Sequence, residues 1–198
     1  MKISVMIALS AALMAICSCS SDPRPKEKTI HARTSTVSPR LPSGVVSVKG
    51  GQPVQVSAAG AASCSETTAD MSASALSYTN GLRARHGLEP LKANRSLQLA
   101  ARAHACDMAS FGWMSHRGSH SAGPAERVKA VGYRPRITAE NIAAGNFDLN
   151  RTLTEWSRSP NHRNNILLPS ISEFGIGHAL SADGKSHFWT AVYADPAG

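Results

Sequence analysis

Leu97 to Phe111 is the segment that most restricts what this chain can fold into. Leu97, Leu99, Ala100, Ala101, Ala103, Ala105, Met108 and Ala109 give a helix that is apolar on most of its circumference. Such a helix belongs between layers of structure, not on a surface. Its alanines let neighbouring backbones come close. Ser96, just before it, reads as the N-cap.

The flanking segments supply the layers. Met71, Ala75, Tyr78 and Leu82 fall at i, i+4, i+7 and i+11, one apolar stripe of an amphipathic helix running from Asp70 to near Gly87. Pro124 opens a short third helix in the first turn, where proline is tolerated, and Gly132 stops it. Ile137 to Ala144 is extended in character. Asp148 or Asn150 can cap a fourth helix through Trp156, and Ser159-Pro160 reads as the N-cap and first residue of a one-turn helix carrying His162. Phe174–Leu180 and His187–Tyr193 alternate around Ala182-Asp183-Gly184-Lys185, as an antiparallel hairpin does. Helices first and a hairpin last indicate an α+β layered domain with antiparallel strands.

The first third of the chain reads differently. Ile3 to Ile16 is an uncharged apolar run of secretory-signal length, too short for a stable membrane span. It closes on Ile16-Cys17-Ser18-Cys19, which resembles the signal of bacterial lipoproteins. That resemblance implies a signal over 1–18, Cys19 as a lipid-modified N-terminus, and, with Ser20 following, delivery to an outer membrane, periplasm or cell surface. A plain cleaved signal and simple secretion is the alternative. Residues 19–66 carry five of the eleven prolines and no helical period, so they read as a flexible tether. Val45–Val48 and Val54–Val56 could pair there as a small hairpin.

Once Cys17 and Cys19 belong to the signal, Cys64 and Cys106 remain, and an oxidising compartment tends to join them. Two free thiols, one buried at Cys106, is the other reading. The formal charge of +8 is spread without any basic run of five residues and without interleaved aromatics. Nucleic acid is therefore not the expected partner. A mildly basic surface suits anionic envelope polymers or lipid headgroups.

Three ionisable residues stand out beside backbone-fixing neighbours: His116 after Ser115, Glu140 before Asn141, and His162 within Ser159-Pro160-Asn161-His162-Arg163-Asn164-Asn165. Two imidazoles and a carboxylate can hold zinc or another divalent ion with one position left for water. Glu140 could be the third ligand, or could orient an imidazole by accepting its N–H. A buried His116–Glu140 pair of purely structural role and metal-free acid–base chemistry with Glu140 as the acid or base are the other readings. His104, His120, His178 and His187 read as packed, solvated or sheet-face side chains.

The order of short motifs is more telling than any one of them. Asn80-x-x-Arg83, His86-Gly87-Leu88-x-Pro90-Leu91 and Ala103-His104-Ala105-x-Asp107-Met108-Ala109 are followed by Ser115-His116, Glu126-Arg127, Gly132-Tyr133 and Ala139-Glu140-Asn141-Ile142. Trp156-x-x-Ser159-Pro160-x-His162-Arg163-x-Asn165-Ile166-Leu167, Gly175-x-Gly177 and Trp189-Thr190 complete the series. Over roughly residues 70–195 this resembles the bacterial branch of the CAP superfamily (cysteine-rich secretory proteins, antigen 5, pathogenesis-related 1). The resemblance implies a three-layer α-β-α sandwich over 67–198 with a small antiparallel sheet, and a cleft lined by His116, Glu140 and His162. Relatives with larger sites add a second acid after Trp156, where Ser157, Arg158 and Ser159 stand here. Glu155 is one residue away and, rotated by about 100° on a helix, faces elsewhere.

The expected function is an exported, membrane-tethered binding protein for a lipid, glycan or envelope protein, with zinc as the expected ion. The alternative is a metal-assisted or acid–base hydrolase of envelope peptide, glycan or lipid. The chain has no HExxH pair, no GxSxG elbow and no nucleophile evidently paired with a base.

Overall fold

The computed structural model describes residues 52–65 and 67–198. The signal segment, Cys19 and Val45–Val48 lie outside the described residues. Five helices and six strands follow in the order β1 (Val54–Gln55), α1 (Ala69–Ala84), β2 (Lys92–Ala93), α2 (Arg95–Phe111), β3 (Trp113–Met114), α3 (Pro124–Ala130), β4 (Pro135–Gly145), α4 (Leu149–Arg158), α5 (Pro160–Ile166), β5 (Glu173–Leu180) and β6 (His187–Pro196). The main sheet has the order β2-β5-β6-β4, with β4 at one edge. β4, β6 and β5 are antiparallel neighbours, while β2 joins β5 in parallel.

Strand alternation sends side chains to two cores. Ala143, Phe174, Ile176, Trp189, Ala191 and Tyr193 pack with Ala75 and Leu82 of α1, Leu153 and Trp156 of α4, and Ile166 of α5. On the other face, Ile142, Ala144, Ala179 and Phe188 meet Ala105, Met108 and Ala109 of α2. Val192 and Ala194 meet Leu97, Ala100 and Ala101, with Val128 of α3 beside them. The expected three-layer sandwich is thus the observed one.

The alanine-rich helix lies as close to the sheet as its sequence suggests. A Cβ on Gly175 would come within 2.2 Å of the Gln98 nitrogen, and one on Gly177 within 2.2 Å of the Arg102 nitrogen. The Gly175-x-Gly177 spacing therefore places two side-chain-free positions on the same strand face, where α2 rests on bare backbone. Its N-cap is Asn94, whose side chain accepts from the Leu97 nitrogen, and not the expected Ser96. Either residue type can cap; the chain turns helical one residue before Ser96, so Ser96 is already inside. At the other end Gly112 is left-handed at φ 70°, the usual device for stopping a helix.

Residues 52–65, assigned to the tether from sequence, are instead laid on the domain. Val54–Gln55 pairs antiparallel with Trp113–Met114. Val56 is buried at 8% exposure, Gly60 donates to the Ser110 carbonyl, and Ser63 bridges Leu180. These are main-chain contacts to residues about 50 to 120 positions away, so no local period announces them. The segment ends in the Cys64–Cys106 disulfide, which fastens it to α2. The pairing expected from an oxidising compartment is the one present.

Cross-linking residues separated by 42 positions should stabilise the domain by about 4 kcal/mol in the chain-entropy picture. Reduction, or Cys64→Ser with Cys106→Ser, is expected to lower the thermal midpoint markedly and to expose the 52–65 segment to protease. An unchanged midpoint would mean that this strap adds nothing to folding.

Candidate functional site

The site forms where the two helical layers meet around the edge of the sheet. Because β4 is the edge strand, the loop before α3 can reach Glu140 from one side and α5 can reach it from the other. Two asparagines set α5 in place. Asn141 donates to the His162 carbonyl at 3.1 Å, and Asn165 donates to the Glu140 carbonyl at 3.0 Å and to the Asn141 side chain at 2.9 Å. Arg83, fully buried, donates to the Ile166 and Leu168 carbonyls at 2.7 and 2.9 Å, and so closes the far end of α5. Pro160 opens α5 as expected, while the Ser159 side chain makes no capping bond.

Glu140 is the electrostatic centre. Its Oε1 accepts from His116 Nδ1 at 2.8 Å and its Oε2 accepts from Arg127 at 2.6 Å. Arg127 also donates to the His116 carbonyl at 3.0 Å and to Ser121 Oγ at 2.9 Å. A third group, His104 Nε2, stands 3.9 Å from Oε1 while donating to the Ser115 carbonyl at 2.8 Å. Burial alone would raise the Glu140 pKa. The hydrogen bond from His116, then the nearby His104 ring and the Arg127 charge, overcome it and hold the carboxyl below its ordinary value. The carboxylate is therefore ionised, paired and without spare affinity for a proton.

The two site imidazoles differ. His116 keeps 37% of its side chain exposed, and with Nδ1 donating to Glu140 its Nε2 is the nitrogen left for another partner. His162 is buried at 4% exposure, and its Nδ1 has no hydrogen-bond partner. Burial, with the His116 ring nearby, pushes it down to about 4, so it is neutral at pH 7. Among the described residues no three His, Cys, Asp or Glu side chains stand together as a ready metal shell. What is present is an oriented imidazole, a second buried imidazole in its electrostatic neighbourhood, and a carboxylate held behind the first.

Arg127 is the functional side chain that sequence reasoning did not single out. Glu126-Arg127 appeared only as a motif, because nothing local says that α3 will lay this guanidinium against a strand residue 13 positions on. His104, read as a packed helix residue, is packed and also contributes to the carboxylate's field. A cavity of about 330 Å³ lies beyond Arg127, lined by Ala100, His104, Asp107, His120, Glu126 and Val131. Where larger sites would carry a second acid, Ser157 bonds Tyr78 at 3.0 Å.

The burial of neutral imidazoles gives a pH signature. His162 and His178 are pushed down to about 4, and His104 is lowered, in each case first by burial. The unfolded chain therefore binds more protons than the folded one between about pH 6.5 and 4. Stability should be complete above about pH 6.5 and decline as pH falls toward 4. A denaturation series with chelator present, run on wild type and His162→Gln, checks this; the variant's decline should be shallower. Superimposable slopes would contradict the assignment.

Comparisons with known proteins place the fold in a family. The family model for CAP, the cysteine-rich secretory protein family, matches residues 76–193. The uncharacterised protein YkwD of Bacillus subtilis is 30% identical over 115 residues, which are 58% of this chain and 43% of that protein. An extracellular SCP-domain protein of Bacillus anthracis superimposes with a TM-score of 0.56 at 26% identity, over 63% of this chain and 40% of that one. An outer surface protein of Borrelia burgdorferi shares the fold, with a TM-score of 0.60 at 18% identity over 74% and 99% of the two chains. This chain thus spans less than half the length of the two Bacillus proteins. With the family model covering more than half of its residues, the chain belongs to the CAP, or cysteine-rich secretory protein, family.

Proposed function

We propose that this protein is an exported binding module of the cell envelope, tethered through a lipid on Cys19. Its cleft around His116, Glu140 and His162 takes a lipid, a glycan or an envelope protein, with a divalent ion, zinc by donor type, shared between the two imidazoles. The observation that carries the reading is the Arg127–Glu140–His116 chain. It holds one ring nitrogen occupied and leaves the other, on a partly exposed ring, for another partner. The orphaned Nδ1 of His162 fits the same use. Glu140 then acts as the orienting partner of a ligand and not as a ligand itself. A bound ion would supply a Lewis-acidic centre for a ligand oxygen or carboxylate.

The same chain argues against the hydrolase alternative. A general base needs a pKa near the working pH, and Glu140 is held below the ordinary carboxylate range by its partners. Among the described residues no helix is long and apolar enough to cross a membrane; the tether on Cys19 is read from the Ile16-Cys17-Ser18-Cys19 motif. The extracellular and surface proteins that share the fold support export.

Zinc is expected to raise the melting temperature of wild type but not of His116→Ala or His162→Ala, and Glu140→Gln should weaken the effect by roughly 10–100-fold in affinity. Equal shifts in all four proteins would remove the ion from the cleft. Turnover of cell wall, casein or model esters that disappears in Glu140→Gln would replace the binding reading with the hydrolase.

A separate experiment tests the tether. Cys19→Ser is expected to move the protein from the membrane fraction to the soluble fraction. Unchanged partition would discard the lipid anchor and leave the cleft untouched.

A further inference from the structure

The β5–β6 hairpin carries a second pair of imidazoles that the cleft does not use. His178 Nε2 and His187 Nδ1 face each other at 2.9 Å. Their register explains the meeting: His178 lies opposite Trp189, and His187 lies opposite Leu180, so the two rings are diagonal neighbours on one face of the sheet. The His178 ring packs against Trp189, tilted by 32° with centroids 4.1 Å apart. Trp189 is itself fixed, since its Nε1 donates to the Phe147 carbonyl at 2.8 Å. One member of the pair therefore sits on a rigid platform inside regular structure, the condition for a preformed site.

We infer that His178 and His187 form a second ion site, one that takes a late first-row divalent metal and prefers copper(II) over zinc. Imidazole is a good donor to all of these ions, and affinity rises through the row to copper. The observed 2.9 Å is the length of the N–H···N hydrogen bond between the rings, so it brings the two donors within reach of one ion, and the preference for copper rests on the order of affinities. Binding requires both facing nitrogens to present lone pairs. The ring that now donates shifts its proton to its other nitrogen, so no net proton is lost. Burial, with His187 beside it, holds His178 down to about 4, so that ring is neutral at pH 7. Both rings are half-buried, and solvent supplies the remaining ligands. The carboxylate of Asp148 adds favourable charge near His187.

The site is distinct from the cleft. His187 and Trp189 alternate with Phe188, whose side chain packs on Ala105 and Met108 of α2. They therefore face the opposite layer. Glu140 lies across from Val192, on the α2 side, and Gly145 lies across from His187. Five residues of β4 separate the two positions, roughly 17 Å along the strand.

The test uses the full chain carrying His116→Ala and His162→Ala, which removes the cleft's imidazoles from the measurement. Copper(II) titrated into this protein is expected to bind at one ion per chain, to show a two-nitrogen coupling pattern by electron paramagnetic resonance, and to quench Trp189 fluorescence. Adding His178→Gln or His187→Gln should weaken binding at least tenfold and abolish the quenching. Because His178 packs directly on Trp189 at 4.1 Å while His187 lies at 6.3 Å from it, His187→Gln is the variant that keeps the His178–Trp189 contact, with circular dichroism reporting the fold. Copper binding and quenching unchanged in His187→Gln would overturn the site, and zinc binding more tightly than copper would overturn the assigned ion. Neither result bears on the cleft, whose imidazoles are absent throughout.

Discussion

A buried carboxylate on an edge strand is the constraint that organises the rest. Glu140 is 5% exposed, and an ionised group so placed is tolerable only if every oxygen is paired. The pairing is supplied by two segments that would otherwise have no reason to be adjacent: the loop bearing His116 and helix α3 bearing Arg127. The guanidinium binds the carboxylate and also the His116 carbonyl, so loop, helix and strand are tied at one point. Removing either partner would leave the other charge stranded, a larger loss than the pair itself contributes.

Against this centre, α5 is positioned by amides and not by charge. Asn141 faces away from Glu140 on the same strand and holds the His162 carbonyl, while Asn165 returns a bond to the strand. Consecutive residues of β4 thus serve opposite layers: one fixes the loop and the next fixes the helix. The Glu140-Asn141 dipeptide works because strand periodicity is two. Inserting or deleting one residue there would exchange a buried charge for an amide on the wrong face.

Much of this was legible beforehand. Helix stripes, the terminal hairpin, Pro160 at the start of α5 and the alanine face of α2 are local patterns, and each appears where periodicity put it. The three site residues were visible because they sit in short runs of polar, backbone-fixing side chains. What could not be read was set by distant main-chain pairing. Val54–Gln55 joins Trp113–Met114, and Lys92–Ala93 joins Glu173–Phe174, through strands of two residues that carry no period of their own. Arg127 escaped for the same reason: its partner is chosen by how α3 packs. The 2.9 Å contact of His178 with His187 is a register effect, invisible until the hairpin's turn length is known.

The two histidine pairs illustrate how one residue type is given different chemistry by what stands behind it. In the cleft a carboxylate accepts a hydrogen bond from His116 Nδ1, which orients the ring and leaves Nε2 as the outward nitrogen. On the hairpin no carboxylate intervenes, and the two rings satisfy each other by sharing one proton. The first arrangement is polarised toward solvent and ready for a ligand that arrives from outside. The second must give up an internal hydrogen bond before it can accept anything, which favours a ligand that repays both nitrogens at once and disfavours a single neutral donor. A fold that buries only one acid near its histidines can therefore keep two imidazole pairs without their competing for the same partner. What separates them is distance along the sheet: Glu140 lies across from Val192, and His187 lies across from Gly145 at the other end of β4.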